Sequence, residues 1–119
     1  MAKKILIVDD MTSVRMFLRM ILRDEGFELD EASDGGQATE KCLGDNPPDI
    51  VLLDVVMPVM DGYECCRRIK AAREEIYIIM VTTHGEQAQK DEAFAAGCND
   101  HLTKPIRQAD LLEKLRDLA

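Results

Sequence analysis

Lys4-Ile5-Leu6-Ile7-Val8-Asp9-Asp10 is an unbroken apolar run, rich in β-branched residues, that stops on two carboxylates. Apolar character without alternation is the pattern of a strand buried on both faces. Ile50-Val51-Leu52-Leu53-Asp54 repeats the pattern and also ends on a carboxylate. Ile76 to Thr82 ends on a hydroxyl, and the short run His101-Leu102-Thr103 leads into Lys104. Phe27 to Ala32 alternates apolar and acidic residues, as expected for a less buried strand near a sheet edge.

Segments of helical period separate these runs. Val14, Phe17, Leu18, Ile21 and Leu22 recur on one helical face, and Gly26 marks its end. Asp34-Gly35 precedes a helix from about Gln37 to Leu43, and Asn46-Pro47-Pro48 breaks the chain before the next strand. Met57-Pro58 opens a loop that closes at Asp61-Gly62, where glycine can adopt positive φ. Further helices are expected from Tyr63 to Arg73, Glu86 to Ala96 (stopped by Gly97) and Arg107 to Leu118, the last with Leu111, Leu112, Leu115 and Leu118 on one face.

Five β–α units in strict alternation predict an α/β, doubly wound fold: a parallel sheet covered by helices on both faces. With no repeat, linker or low-complexity stretch, residues 1–119 read as one domain. Ligands of such sheets bind beyond the carboxyl ends of the strands, where the strand order switches. In the order 2-1-3-4-5 that point lies between the first and third strands, which end on Asp9-Asp10 and Asp54.

The net charge of −8 leaves no basic stripe for phosphate backbones, so direct nucleic-acid binding is not expected. No apolar run is long enough for a bilayer, and Met1-Ala2-Lys3-Lys4 enters the first strand without a signal-type segment, so a cytoplasmic location is expected. Cys42, Cys65, Cys66 and Cys98 form no CxxC pair and read as buried, reduced thiols rather than a metal or redox site.

The four polar strand ends define a chemistry. Asp9, Asp10 and Asp54 would repel one another without a cation, and an oxygen-only set with open positions suits Mg²⁺. Asp54 can then offer an oxygen to a phosphoryl group, forming an acyl phosphate. Phosphoryl transfer is chiefly positioning and charge neutralisation, which the Lys104 ammonium and the Thr82 hydroxyl can supply. Each residue also has a structural reading: a helix cap for Asp9-Asp10, a β-branched strand residue for Thr82, a solvated loop lysine for Lys104. A carboxylate directly after four apolar residues, as at Asp54, is harder to explain that way.

The combination Ile5-Leu6-Ile7-Val8-Asp9-Asp10, Val51-Leu52-Leu53-Asp54 with Met57-Pro58 and Asp61-Gly62, Ile79-Met80-Val81-Thr82 and Thr103-Lys104-Pro105 resembles the receiver domain of bacterial two-component response regulators. The single-domain chemotaxis type is most similar in length, and the likeness covers essentially the whole chain. It implies a flavodoxin-like (βα)5 fold of three layers. Asp54 would be the phosphoacceptor, Asp10 the direct ligand of Mg²⁺ (or Mn²⁺), Asp9 a ligand acting largely through metal-bound water, and the Val56 carbonyl a further ligand. Thr82 would be the switch hydroxyl and Lys104 the phosphoryl contact, with the Lys104-Pro105 bond often cis in the family.

The same resemblance implies a sensor histidine kinase or a histidine phosphotransfer protein as phosphoryl donor, facing the first helix. It also implies an output surface on the fourth helix, fifth strand and fifth helix. Arg107, Lys114 and Arg116 beside Asp110, Glu113 and Asp117 give the last helix a mixed-charge face, read either as solvated in a monomer or as the seat of a weak phosphorylation-dependent dimer. Thr83 stands where the family has a small residue, so it narrows access to the phosphoryl group. His84 occupies a position that tunes hydrolysis. His101 replaces the usual aromatic switch residue and is either a gate made pH-sensitive by its charge near neutrality or a surface histidine.

Two other functions compete: a degenerate receiver serving as a constitutive docking module, and a metal-dependent aspartyl phosphatase. The phosphatase would normally carry a second carboxylate two residues after the nucleophile, where this chain has Val56. The receiver reading is that of a signalling module rather than an enzyme, its chemistry confined to its own phosphorylation and dephosphorylation.

Overall fold

A computed structural model describes residues 2–57, 60–83 and 87–118. Five strands, β1 (Lys4–Val8), β2 (Glu28–Ala32), β3 (Ile50–Asp54), β4 (Tyr77–Thr82) and β5 (Asp100–Thr103), alternate with five helices. The helices are α1 (Thr12–Leu22), α2 (Gly35–Leu43), α3 (Gly62–Ala72), α4 (Gln87–Ala95) and α5 (Gln108–Arg116). The strands form one parallel sheet in the order β2-β1-β3-β4-β5. The doubly wound α/β fold read from the strand pattern is thus the one observed.

Strand alternation divides the core into two layers. Leu6, Val8, Val51, Leu53, Ile78 and Met80 point to one face and pack with residues of α2, α3 and α4, including Ala38, Cys42, Cys65, Cys66, Ile69 and Ala93. Ile5, Ile7, Ile50, Leu52, Ile79 and Val81 point to the other, against Leu18, Ile21 and Leu22 of α1 and Leu111 and Leu115 of α5. Because both faces are covered, β3 is buried along its whole length, which is why its sequence shows no alternation. All four cysteines are buried and unpaired. Burial pushes the thiols of Cys42 and Cys66 up to about 12 and that of Cys98 to about 11, so they pack as small apolar groups.

Several local expectations need correction. Helix α2 starts two residues earlier than its apolar periodicity indicated, because Asp34 caps it by accepting from the Gln37 N–H at 2.8 Å. Phe17, placed on the core face of α1, is 48% exposed; Leu18, Ile21 and Leu22 fill that face. Gly62 is absent from the positive-φ glycines, which among the described residues are Gly26 and Gly97, each just beyond a helix. Its role is close approach: a β-carbon at Gly62 would fall on the Asp54 carbonyl oxygen, and its N–H donates to the Val55 carbonyl at 2.8 Å. The start of α3 is thereby pressed against the end of β3, where Asp54 sits. Among the described residues no helix is long and apolar enough to cross a membrane.

Candidate functional site

Parallel register brings the strand ends together. Val8 lies opposite Leu53, Asp54 opposite Val81, and Thr82 opposite Thr103, so the residues after each run meet along one edge. Asp9, Asp10 and Asp54 each place a carboxylate oxygen within 4.8 Å of the others. Asp9 and Asp54 are buried, while Asp10 is exposed at the rim. Neither Asp9 nor Asp10 caps α1. Met11 occupies that position without a side-chain cap, and Asp9 Oδ1 accepts from the Met11 N–H at 2.9 Å.

Lys104 reaches back across the sheet from the end of β5. Its Nζ lies 2.9 Å from Asp9 Oδ2 and 3.4 Å from Asp54 Oδ2, so it is no solvated loop lysine. The Lys104–Pro105 peptide bond is cis. Burial disfavours the ammonium, but its hydrogen bond to Asp9 and the charges of Asp54 and Asp9 outweigh it and hold Lys104 above its ordinary value. Asp54 moves the other way. Burial, then the Asp9 charge, push its carboxyl up to about 6 despite the opposing pull of Lys104. One ammonium therefore does not balance the acidic cluster, and a hard cation fits the donor set.

Thr82 is fully buried at the end of β4, and its Oγ1 lies 2.8 Å from His101 Nε2. Met80 is directly opposite His101 and Thr82 is two residues further on, a diagonal neighbour on the same face. His101 is only 8% exposed, which removes the surface-histidine alternative. Burial, with the Lys90 and Lys114 ammoniums, lowers its imidazolium below the usual 6.5 against the pull of Asp100. The expected charge near neutral pH is corrected accordingly: the shift favours the neutral ring there.

Thr83 is exposed and lines an apolar groove with Val14, Phe17, Lys104, Pro105 and Ile106, beside the acidic cluster. Val56 is exposed, and its N–H donates to Asp54 Oδ1 at 3.4 Å. His84 and Pro58 lie outside the described residues. On α5, Lys114 pairs with Asp100 of the same chain at 3.0 Å.

Two contributors escaped the sequence reading. Arg15 Nη1 donates to the Asp9 carbonyl at 2.6 Å while its Nε holds Glu31 at 3.0 Å, fixing the turn that carries Asp9. The only sequence signal was an arginine one turn into the helix after the acidic pair. The other is Gly62, whose close approach to Asp54 was read as turn geometry.

A family model described as response regulator receiver domain matches residues 5–116. The chemotaxis protein CheY of Bacillus subtilis is 40% identical over 116 residues, 97% of this chain and 96% of that protein. The transcriptional regulatory protein ResD of the same organism is 40% identical over 115 residues, 97% of this chain and 47% of that protein. The chain thus spans nearly all of one relative and about half of the other. Among solved structures, the CheX-CheY-BeF3-Mg complex from Borrelia burgdorferi matches with a TM-score of 0.90 at 31% identity, over 98% of this chain and 88% of that one.

Proposed function

The chain belongs to the response regulator receiver family, and on that premise we propose that Asp54 accepts a phosphoryl group from a phosphohistidine donor and thereby controls the partner-binding surface of the domain. The family belongs to phosphorylation-dependent signalling, and the docking-only and phosphatase alternatives are not favoured. The observation that carries the proposal is the position of Lys104 Nζ against both Asp9 and Asp54, beside three converging carboxylates. A cluster built only for stability would not leave the Asp54 carboxyl raised to about 6.

An Asp54 carboxylate oxygen attacks the phosphorus. A P–O bond forms, the P–N bond to the donor imidazole breaks, and its electron pair stays on the departing nitrogen. The Lys104 ammonium neutralises one phosphoryl oxygen, and the Thr82 hydroxyl donates to another. Asp9, Asp10, Asp54 and the Val56 carbonyl would hold Mg²⁺, which offsets carboxylate and phosphoryl charge when bound. Hydrolysis of the acyl phosphate returns the domain to its resting state, and this self-reaction is the only turnover proposed. Thr83, at the mouth of the site, slows entry of donor and water.

A sensor histidine kinase, or a histidine phosphotransfer protein, supplies the phosphoryl group. Phe17 and Val14 of α1 with Pro105 and Ile106 form the apolar ground beside the acceptor on which it docks. Output passes through α4, β5 and α5, where phosphoryl contacts shift the population of two conformations.

The test is intact-protein mass after incubation with a small acyl-phosphate donor. Gain of one phosphoryl group in the wild type, only with Mg²⁺ and not in Asp54→Asn, is expected. Equal labelling of Asp54→Asn would overturn the assignment.

A further inference from the structure

The hydrogen bond between Thr82 and His101 joins a buried hydroxyl at the phosphoryl site to a titratable ring under the α4–β5–α5 surface. Its direction depends on the proton count of the ring. A neutral imidazole with its proton on Nδ1 accepts through Nε2 and takes the Thr82 proton; an imidazolium can only donate. A hydroxyl has one proton, so Thr82 cannot donate to His101 and to a phosphoryl oxygen at once.

We propose that His101 and Thr82 form a proton-operated latch: the neutral ring accepts from the Thr82 hydroxyl and withholds it from the phosphoryl site, and protonation of the ring reverses the bond and releases the hydroxyl to a phosphoryl oxygen. The latch rests on Asp54 being the acceptor. By linkage, a phosphoryl group on Asp54 favours protonated His101 to the same extent that protonation favours the phosphoryl group.

The charges around the ring suit such a device. Lys90 faces it from α4 and Lys114 from α5, with Asp100 on its own strand drawing Lys114 away at 3.0 Å. Tyr77 of β4 and Asp110 and Glu113 of α5 line the same cavity. Burial first, and the two ammoniums with it, favour the neutral resting ring, and added negative charge at Asp54 opposes them through Thr82. Any partner that binds over Lys90 or Lys114 and offsets their charge would therefore release the same latch.

Two measurements test it in the full chain. Imidazole nitrogen NMR of the metal-free protein, with His101 assigned by loss of its signals in His101→Phe, should find Nε2 without a proton in the neutral ring. A protonated Nε2 in that ring overturns the latch, whatever becomes of the phosphoryl site. The second measurement is the affinity for beryllofluoride, a phosphoryl mimic, with Mg²⁺ in wild type and His101→Phe across the titration of His101.

Above that titration the wild type should bind roughly three- to tenfold more weakly than the variant, the worth of one hydrogen bond, and the gap should close in acid. Titration of Asp54 affects both proteins alike, so their ratio isolates His101. A ratio that does not change with pH overturns the latch. Beryllofluoride uptake by neither protein would instead overturn Asp54 as acceptor, with the nitrogen spectrum still deciding the direction of the bond.

Discussion

Replacing Asp54 with asparagine should stabilise the metal-free protein at neutral pH and do little in acid. The Asp54 carboxyl is raised from 3.8 to about 6, by burial first and by Asp9 second. At about 1.4 kcal/mol for each pH unit, ionising it in the fold costs about 3 kcal/mol more than in the unfolded chain. The native state holds this proton more tightly than the unfolded state does. Stability from the group is therefore fully present below about pH 3.8 and is lost as the pH rises through about 6.

Asparagine keeps the shape and removes the charge. Lys104 then loses its 3.4 Å partner but keeps Asp9 at 2.9 Å. Allowing for that loss, the net gain at pH 7 is about 1–2 kcal/mol, or about 4–8 °C in Tm for a chain of this size. Urea and thermal unfolding in EDTA at pH 7 and pH 4 measure it. Mg²⁺ at a hundred times its Kd should stabilise the wild type by about 2.7 kcal/mol and narrow the gap. A variant no more stable than wild type at pH 7, or a gap of the same size at pH 4, would refute the reasoning.

Other changes probe the remaining parts of the site. Lys104→Met should cost about 2 kcal/mol at pH 7, a partly exposed ammonium being worth less than a fully buried one; urea melts should show a smaller loss at pH 4, where protonation of Asp54 removes the weaker of the two pairings and leaves the 2.9 Å contact with Asp9. Gly62→Ala forces α3 off the end of β3, and should lower stability by about 1–3 kcal/mol and weaken Mg²⁺ binding in the same titration. Asp10→Ala removes an exposed carboxylate that makes no side-chain hydrogen bond or ion pair among the described residues, so melting without metal should hold within about 0.5 kcal/mol while stabilisation by Mg²⁺ is lost.

What could be read from the sequence follows from how each feature is encoded. The parallel sheet was legible because burial on both faces removes alternation from β1, β3 and β4. The acidic cluster was legible because register in such a sheet aligns strand ends, so Asp9, Asp54, Thr82 and Lys104 had to converge once the order was known. Residues that act across the sheet left weaker traces. The value of Gly62 lies in the missing β-carbon beneath the Asp54 carbonyl, a contact between β3 and α3 that resembles an ordinary Asp-Gly turn in one dimension.

His101 is the sharper case. Its position three residues before Lys104 could be read from the chain, whereas its burial and its bond to Thr82 depend on β5 pairing with β4 so that Met80 faces it. A one-residue slip in that register would turn the ring to the opposite face and part it from Thr82. The site is thus written in strand termini, and its control is written in the lateral register of an edge strand. Substitutions along β5 can therefore retune the switch while leaving all three carboxylates and Lys104 in place.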